Sequence, residues 1–539
     1  MRHDSTPGPE AVAVLATPPE RTANPAVSRR ELIVVAVLTL AFLGLLVLWS
    51  LLTPIYGAPD EHAHMNSGVR LTQELSWPEP GDARMYGMVA AARDEAGVPA
   101  AERSTFAELA ADVPGTGGVD QMTQHPPLYY AFAAVVLQSI GFMDLRADVA
   151  LVGLRLAGLI FAAPLPLLVW ASTRRITRSP RAAVVGAAAL LAVPQLAQIL
   201  ASVSNDGLTI LLCSIVVWLG TRVMTGDARW RIVIALGVAL GLALLTKGTA
   251  LPFIPFAAVT LIVWPRGSTV GRRVLRAGSS LAIAFFIGGW WWLRNLLLFG
   301  DLQPSGLAGI RDTVPWEPGT SPDVIAYLDR MWTRMTGSFW GNFGWLEYPL
   351  PQLLTDVLSV IALSVVVVYA FRRGPVRWQV VVLASLPALV LVLLFVNTWR
   401  HYVRTQQFAG LQGRYLFVTI VALVVVSAVA WRRFIVPAQR RTVGVALVGL
   451  AAVVAAAGLL RAYIGEYEAS QYRLSLDGLR AFAAMTPGGA PAIGLAGGAA
   501  VVVCAFALVL TIRWIRGRDS ATTAAAADEE RAQPASTPA

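Results

Sequence analysis

The sequence is poor in charge, in cysteine and in lysine, and each shortage excludes something. Charged residues make up 14% of the 539 residues and apolar ones 56%, with a mean hydropathy of +0.60, which excludes an ordinary soluble domain. The two cysteines, Cys213 and Cys504, both lie inside apolar runs, where a thiol behaves as a small buried hydrophobe, so no disulfide framework is implied. Lysine occurs once, at Lys247, and arginine supplies every other basic side chain. The net charge of +10 does not point to nucleic acid, because the arginines stand in short clusters between apolar segments, the pattern that sets membrane orientation. There is also no internal repeat of the kind that builds two related halves of a carrier.

What is present is a series of apolar runs. A spanning helix needs about twenty apolar residues, and twelve runs qualify: 31–54, 150–171, 182–203, 207–224, 230–246, 249–265, 277–299, 352–371, 378–396, 413–431, 442–460 and 492–514. A further stretch, 126–142, is shorter and opens on a Pro pair. If it crossed, Arg174, Arg175, Arg178 and Arg181 would fall outside and every later loop would invert against the positive-inside bias. It is therefore read as an interfacial helix in the first outer loop. The expected fold is an all-α polytopic membrane protein of about 12 transmembrane helices in the plasma (inner) membrane, with both termini cytoplasmic. Loops 55–149, 300–351, 397–412 and 461–491 then lie outside. Residues 1–28 and 519–539, rich in Ala, Thr, Pro and Glu, are expected to be disordered cytoplasmic tails.

This topology gathers the unusual residues on the outer face. They are Pro59-Asp60-Glu61-His62-Ala63-His64, His125, Ser204-Asn205-Asp206, Lys247, Arg294-Asn295 and Gln412-Gly413-Arg414-Tyr415. Carboxylates and imidazoles are costly beside hydrocarbon, so a set placed where helices surface is a functional candidate. The bland alternative is ordinary interfacial snorkelling. Lys247, between two apolar runs, offers a compact ammonium that suits phosphate, or a contact to lipid headgroups. Trp290-Trp291-Trp292, Trp316, Trp332, Trp340 and Trp345 suit sugar rings and prenyl chains, or form an interfacial aromatic belt.

The order of these segments resembles the GT-C membrane glycosyltransferases: a first helix, an outer loop opening with Asp60-Glu61, the segment His125-Pro126-Pro127-Leu128-Tyr129-Tyr130, and a second acidic position after the third helix. Within them the chain is most similar to a bacterial family of predicted multi-pass membrane proteins of unknown function, through Pro59-Asp60-Glu61 with His64, Ser204-Asn205-Asp206, Leu245-Thr246-Lys247 and Gly413-Arg414-Tyr415. The resemblance covers residues 31 to 430. Protein O-mannosyltransferases and aminoarabinose transferases carry a basic residue near the Pro-Pro pair, the place of His125 here. The Trp-Trp-Asp signature of oligosaccharyltransferases is missing, which argues against asparagine-linked transfer.

The resemblance implies a catalytic module over residues 29–431, followed by C-terminal helices over 432–518. It implies transfer of a sugar from a polyprenyl-phosphate donor in the outer leaflet to an envelope glycan, lipid or protein acceptor. Asp60 is the expected base for the acceptor hydroxyl, with Glu61 as second candidate. Lys247, Arg294 and Arg414 are expected to stabilise the leaving phosphate; His64, His125, Asp206 and Tyr415 complete the expected substrate site, and His62 is a further donor-orienting candidate. No cofactor is specified: two histidines and carboxylates without fixed spacing are a weak ligand signal, and the candidates for a divalent metal ion are Asp60, His64 and Asp206. The alternatives are a transporter or flippase, and a polymerase or ligase, of lipid-linked saccharides. Arginine richness with abundant Ala and Val fits a high-GC bacterium.

Overall fold

The computed structural model describes residues 26–265, 267–307, 313–370 and 374–517. The expected tails fall almost wholly outside the described residues. Among the described residues each of the twelve apolar runs forms helix. Among the described residues nine helices are long and apolar enough to cross a membrane: Arg29–Leu52, Ala147–Thr177, Asp206–Met224, Val270–Phe299, Gln352–Tyr369, Arg377–Thr405, Gly413–Phe434, Pro437–Tyr467 and Gly489–Arg516. The run 182–203 is a bent pair, Pro180–Ala192 and Pro194–Leu200, turned by 74°, with a proline opening the second piece, where its missing N–H is harmless. The runs 230–246 and 249–265 are the shorter helices Trp230–Leu244 and Gly248–Val263. The expected count of about twelve thus resolves into nine long helices, one broken span and two short helices. The protein is a multi-pass helical membrane protein.

The stretch read as interfacial forms Leu128–Ser139, 12 residues. At about 1.5 Å per residue it spans roughly 18 Å, well short of the roughly 30 Å hydrocarbon core. It packs on Glu61–Gln73 within a small core of its own, built from Met65, Val69, Val89, Phe106, Leu137, Phe142 and Leu151. Residues 55–149 therefore fold as a unit on the helix ends, with a two-stranded antiparallel ribbon of Arg84–Tyr86 and Thr116–Val119. Asp120, buried, accepts hydrogen bonds from Asn66 Nδ2 and Ser67 Oγ, both at 2.7 Å, and from the Met122 N–H at 2.9 Å. These bonds fasten the segment after the ribbon to the Glu61–Gln73 helix.

The first helix is closed at both ends by buried ion pairs. At its start the Ser28 hydroxyl accepts the Glu31 N–H, and Glu31 is paired with Arg174 at 2.7 Å. At its end Arg155 donates to the carbonyls of Ser50, Thr53 and Pro54 at 2.8, 2.6 and 2.7 Å, satisfying carbonyls that a helix terminus leaves unpaired. The same guanidinium binds both oxygens of Glu61, at 2.8 and 2.6 Å. Glu61 also accepts the Val203 N–H at 2.9 Å. One arginine thus ties the end of the first helix to the start of the next, and Glu61 ties both to the turn before Asp206. Arg155 is 1% exposed and Glu61 is fully buried.

Removing one partner of such a pair leaves an uncompensated buried charge, at a cost of about 3–5 kcal/mol. Arg155→Met is expected to lower the unfolding temperature of the detergent-solubilised protein by many degrees. A change within measurement error would show that Glu61 finds other compensation.

Candidate functional site

The turn that follows the first helix is strained. Tyr56 and Asp60 both take left-handed backbone conformations, with φ of 54° and 63°, uncommon for residues other than glycine. Asp60 occupies the N-cap of Glu61–Gln73, yet its carboxylate does not cap the helix. It points instead to Arg414, with Oδ2 2.6 Å from Nη2, while Oδ1 accepts weakly from Gln121 Nε2 at 3.4 Å. The Asp60 side chain keeps 28% of its surface open and that of Arg414 only 5%, so the carboxylate is the accessible member of the pair.

Arg414 is placed by a tight seam. Gly413 lies so close to the Val324–Trp340 helix that a Cβ would fall 2.4 Å from the Met335 carbonyl oxygen and 2.5 Å from the Phe339 nitrogen, and its N–H donates to Ser338 Oγ at 2.7 Å. Only glycine allows that approach. The next residue, Tyr415, lies under two cations: the Arg414 guanidinium is 5.6 Å and the Lys247 ammonium 5.8 Å from its ring centre. Lys247 also donates to Asp206 Oδ1 at 2.6 Å and to Asn205 Oδ1 at 3.0 Å, which leaves the buried Asp206 Oδ2 without a hydrogen-bond partner among the described residues.

Histidines line the same cluster. His64 Nδ1 lies 3.0 Å from the Tyr130 hydroxyl, which also accepts from Asn205 Nδ2 at 3.4 Å. Trp77 packs on Tyr130, with ring centres 4.9 Å apart, and donates to the His125 carbonyl at 3.1 Å. His125 Nδ1 is buried without a partner among the described residues. Burial, then the Lys247 charge, depress both rings, His64 to about 3 and His125 well below the usual imidazole range, so both are neutral at physiological pH. Burial alone would raise the Asp60 carboxyl, but the Arg414 charge and hydrogen bond, with the Lys247 charge, overcome it and hold Asp60 below the ordinary value.

Of the residues singled out in the sequence, Asp60, His64, His125, Asp206, Lys247, Arg414 and Tyr415 come together. Glu61 lies beside them with its carboxylate held by Arg155 and the Val203 N–H. Arg294 turns to Glu79, Asn295 and the rings of Trp291 and Phe299. Arg155, Tyr130, Gln121 and Trp77 belong to the assembly but were not expected there; an arginine inside the apolar run 150–171 was the available signal for the first. As metal ligands, Asp60 and Asp206 already face Arg414 and Lys247, and His64 Nδ1 faces Tyr130. Among the described residues no group of three or more His, Cys, Asp or Glu side chains is gathered to hold a metal ion. The arrangement, with its carboxylates already paired to cations, does not fit one.

A multi-pass helical membrane protein with a buried charged cluster where its helix ends meet an outlying loop domain is the class these features define. Residues 43–425 match the family described as "Predicted membrane protein (DUF2142)", and the chain belongs to that family. No curated protein matches the chain. Among solved structures the chain is similar to ArnT from Cupriavidus metallidurans bound to undecaprenyl phosphate, at 14% identity and a TM-score of 0.42, covering 92% of this chain and 80% of that one. It is also similar to the oligosaccharyltransferase of Archaeoglobus fulgidus in the apo form, at 12% identity and a TM-score of 0.40, covering 82% and 58%.

The histidine shifts set a pH dependence with a defined sign. A ring whose folded pKa lies below its unfolded value stabilises the fold above the unfolded value, and that contribution is lost as pH falls toward the folded one. Stability is therefore expected to fall between pH 6.5 and about 3, the window His64 defines, with each such histidine contributing up to about 1.4 kcal/mol per pH unit. In denaturant unfolding across this range, His64→Gln is expected to flatten the slope; an unchanged slope would remove His64 as a source.

Proposed function

We propose that the protein is an integral membrane glycosyltransferase that moves a sugar from a polyprenyl-phosphate donor to a cell-envelope acceptor on the outer face of the membrane. The observation that carries this reading is one accessible carboxylate, Asp60, facing Arg414 in a cluster whose second cation, Lys247, shares the Tyr415 ring with it. Such a set suits a reaction that removes a proton on one side and develops phosphate charge on the other. The sequence resemblance to GT-C enzymes supports the same reading.

The donor phosphate binds at Arg414 and Lys247. As the bond between the anomeric carbon and the phosphate oxygen breaks, charge grows on the leaving phosphate, and the two cations stabilise it more in the transition state than in the ground state. Movement of Arg414 toward that phosphate releases Asp60 Oδ2. Asp60, ionised at neutral pH, then takes the proton of the acceptor hydroxyl while its oxygen attacks the anomeric carbon from the opposite face. Neutral His64 and His125 offer hydrogen bonds to the donor without adding charge. Glu61 serves as the anchor of the turn, which leaves Asp60 as the base.

The test is transfer of labelled sugar from a panel of polyprenyl-phosphate sugars to native envelope acceptors by purified protein. Asp60→Asn is expected to reduce transfer by about 10²–10⁴-fold with donor binding largely retained, whereas Lys247→Ala is expected to weaken donor binding or slow departure of the lipid phosphate. Activity near wild type in Asp60→Asn would remove it as the base. Absence of transfer from every donor by folded protein would turn attention to flipping of lipid-linked saccharides.

A further inference from the structure

Beside the Asp60 turn lies an aromatic side chain that the proposed chemistry does not use. Trp345 is 38% exposed, although its indole N–H donates to the Tyr56 carbonyl at 2.7 Å and so fixes the ring to the turn that ends at Asp60. The imidazole of His62, two residues beyond Asp60, stacks on it with ring centres 5.5 Å apart and planes 29° apart. The guanidinium of Arg93, an exposed residue, lies 5.6 Å from the same ring. The loop holding Trp345 is shaped to present it: Gly344 and Leu346 on either side both have positive φ, 63° and 68°. A left-handed conformation at a leucine costs about 1–2 kcal/mol, and strain of this kind persists where surrounding structure enforces it. By contrast, Trp49, Trp291 and Trp292 are closed into the core.

An exposed indole held rigid is suited to the apolar face of a pyranose ring, and the exposed Arg93 guanidinium now over it, once swung aside by that sugar, is suited to a carboxylate or phosphate on that ring or the next. His62 Nδ1, buried and without a partner among the described residues, adds an unfilled hydrogen-bonding position. We propose that Trp345, His62 and Arg93 form the acceptor subsite, and that the acceptor is a saccharide carrying an anionic group. This rests on the glycosyltransferase reading and narrows its acceptor to a glycan. Because Trp345 is fastened to the Asp60 turn, a ring stacked on it would bring a neighbouring hydroxyl toward the Asp60 carboxylate.

The test begins with binding, which requires no donor. Calorimetry with the full chain in nanodiscs would compare tetragalacturonate, an anionic tetrasaccharide, with maltotetraose, a neutral one. Wild type is expected to bind tetragalacturonate more tightly. Trp345→Ala is expected to weaken both at least tenfold, Trp345→Phe to retain most of the affinity, and Arg93→Ala to weaken tetragalacturonate about fivefold while leaving maltotetraose unchanged. Equal binding by wild type and Trp345→Ala, or no binding of either sugar by wild type, overturns the subsite. In the transfer assay, Trp345→Ala is expected to raise the acceptor KM at least tenfold with the donor KM unmoved. Saccharide binding lost in Trp345→Ala, in a wild type that transfers from no donor, would sink the enzymatic reading and keep the subsite. Transfer with an unmoved acceptor KM would do the reverse.

Discussion

The bond between Arg155 and Glu61 is the constraint on which the rest of the site depends. Neither residue faces an open surface, and an unpaired charge in such a place would be strongly destabilising. Their pairing holds three separate backbone segments in register: the end of the first helix through its carbonyls, the start of Glu61–Gln73, and Val203 through its N–H. Asp60 and Asp206 belong to two of those segments. Their side chains are oppositely paired, one with Arg414 and one with Lys247, and Tyr415 lies beneath both cations. The cluster is therefore a set of loops held together by one buried pair, with Asp60 and Asp206 carried on two of them.

Neighbouring carboxylates thereby acquire different roles. Glu61 is closed in and bound on both oxygens, whereas Asp60 is turned outward by a left-handed residue that would ordinarily relax. The strain at Asp60 is kept because the residues on either side are over-determined: Pro54 is bonded to Arg155 before it and Glu61 to the same arginine after it. Local backbone energy is thus held in place by a buried ion pair one residue away, an arrangement expected where a side chain must be aimed rather than merely placed.

Much of this was legible in the sequence, and the reasons differ by feature. All twelve apolar runs form helix because length and hydropathy govern insertion into hydrocarbon; the break at Pro194 and the shortness of Trp230–Leu244 depend on packing and on a proline whose effect varies with context. Leu128–Ser139 is set apart from the nine long helices by its 12-residue length, which the Pro pair and the shortness of the apolar stretch foreshadow. The meeting of Asp60, Asp206, Lys247 and Arg414 followed from topology, since alternate helix ends share a face. Their pairing did not, because Arg414 lies hundreds of positions from Asp60 and nothing in either motif names the other. Arg155 carried a signal of a different kind: a charge within an apolar run, which marks it as unusual without naming Glu61 as its partner. The likeness of Asp60 and Glu61 in sequence concealed their difference, which only the direction of one backbone turn reveals.

The first helix packs along the last, Gly489–Arg516, with Gly44 against Ala500 and the Cys504 thiol 3.7 Å from the Ala41 carbonyl. During synthesis this seam cannot close until the final helix has been made and inserted, although the first has long since entered the membrane. A ribosome delivers Arg155 much earlier, and Trp345 and Arg414, which also hold the turn bearing Asp60, only after most of the chain has been made. Assembly is thus ordered in time, with the helix against Arg29–Leu52 added after the whole cluster, and a nascent chain cut short before residue 489 would hold that cluster on a scaffold that lacks one side.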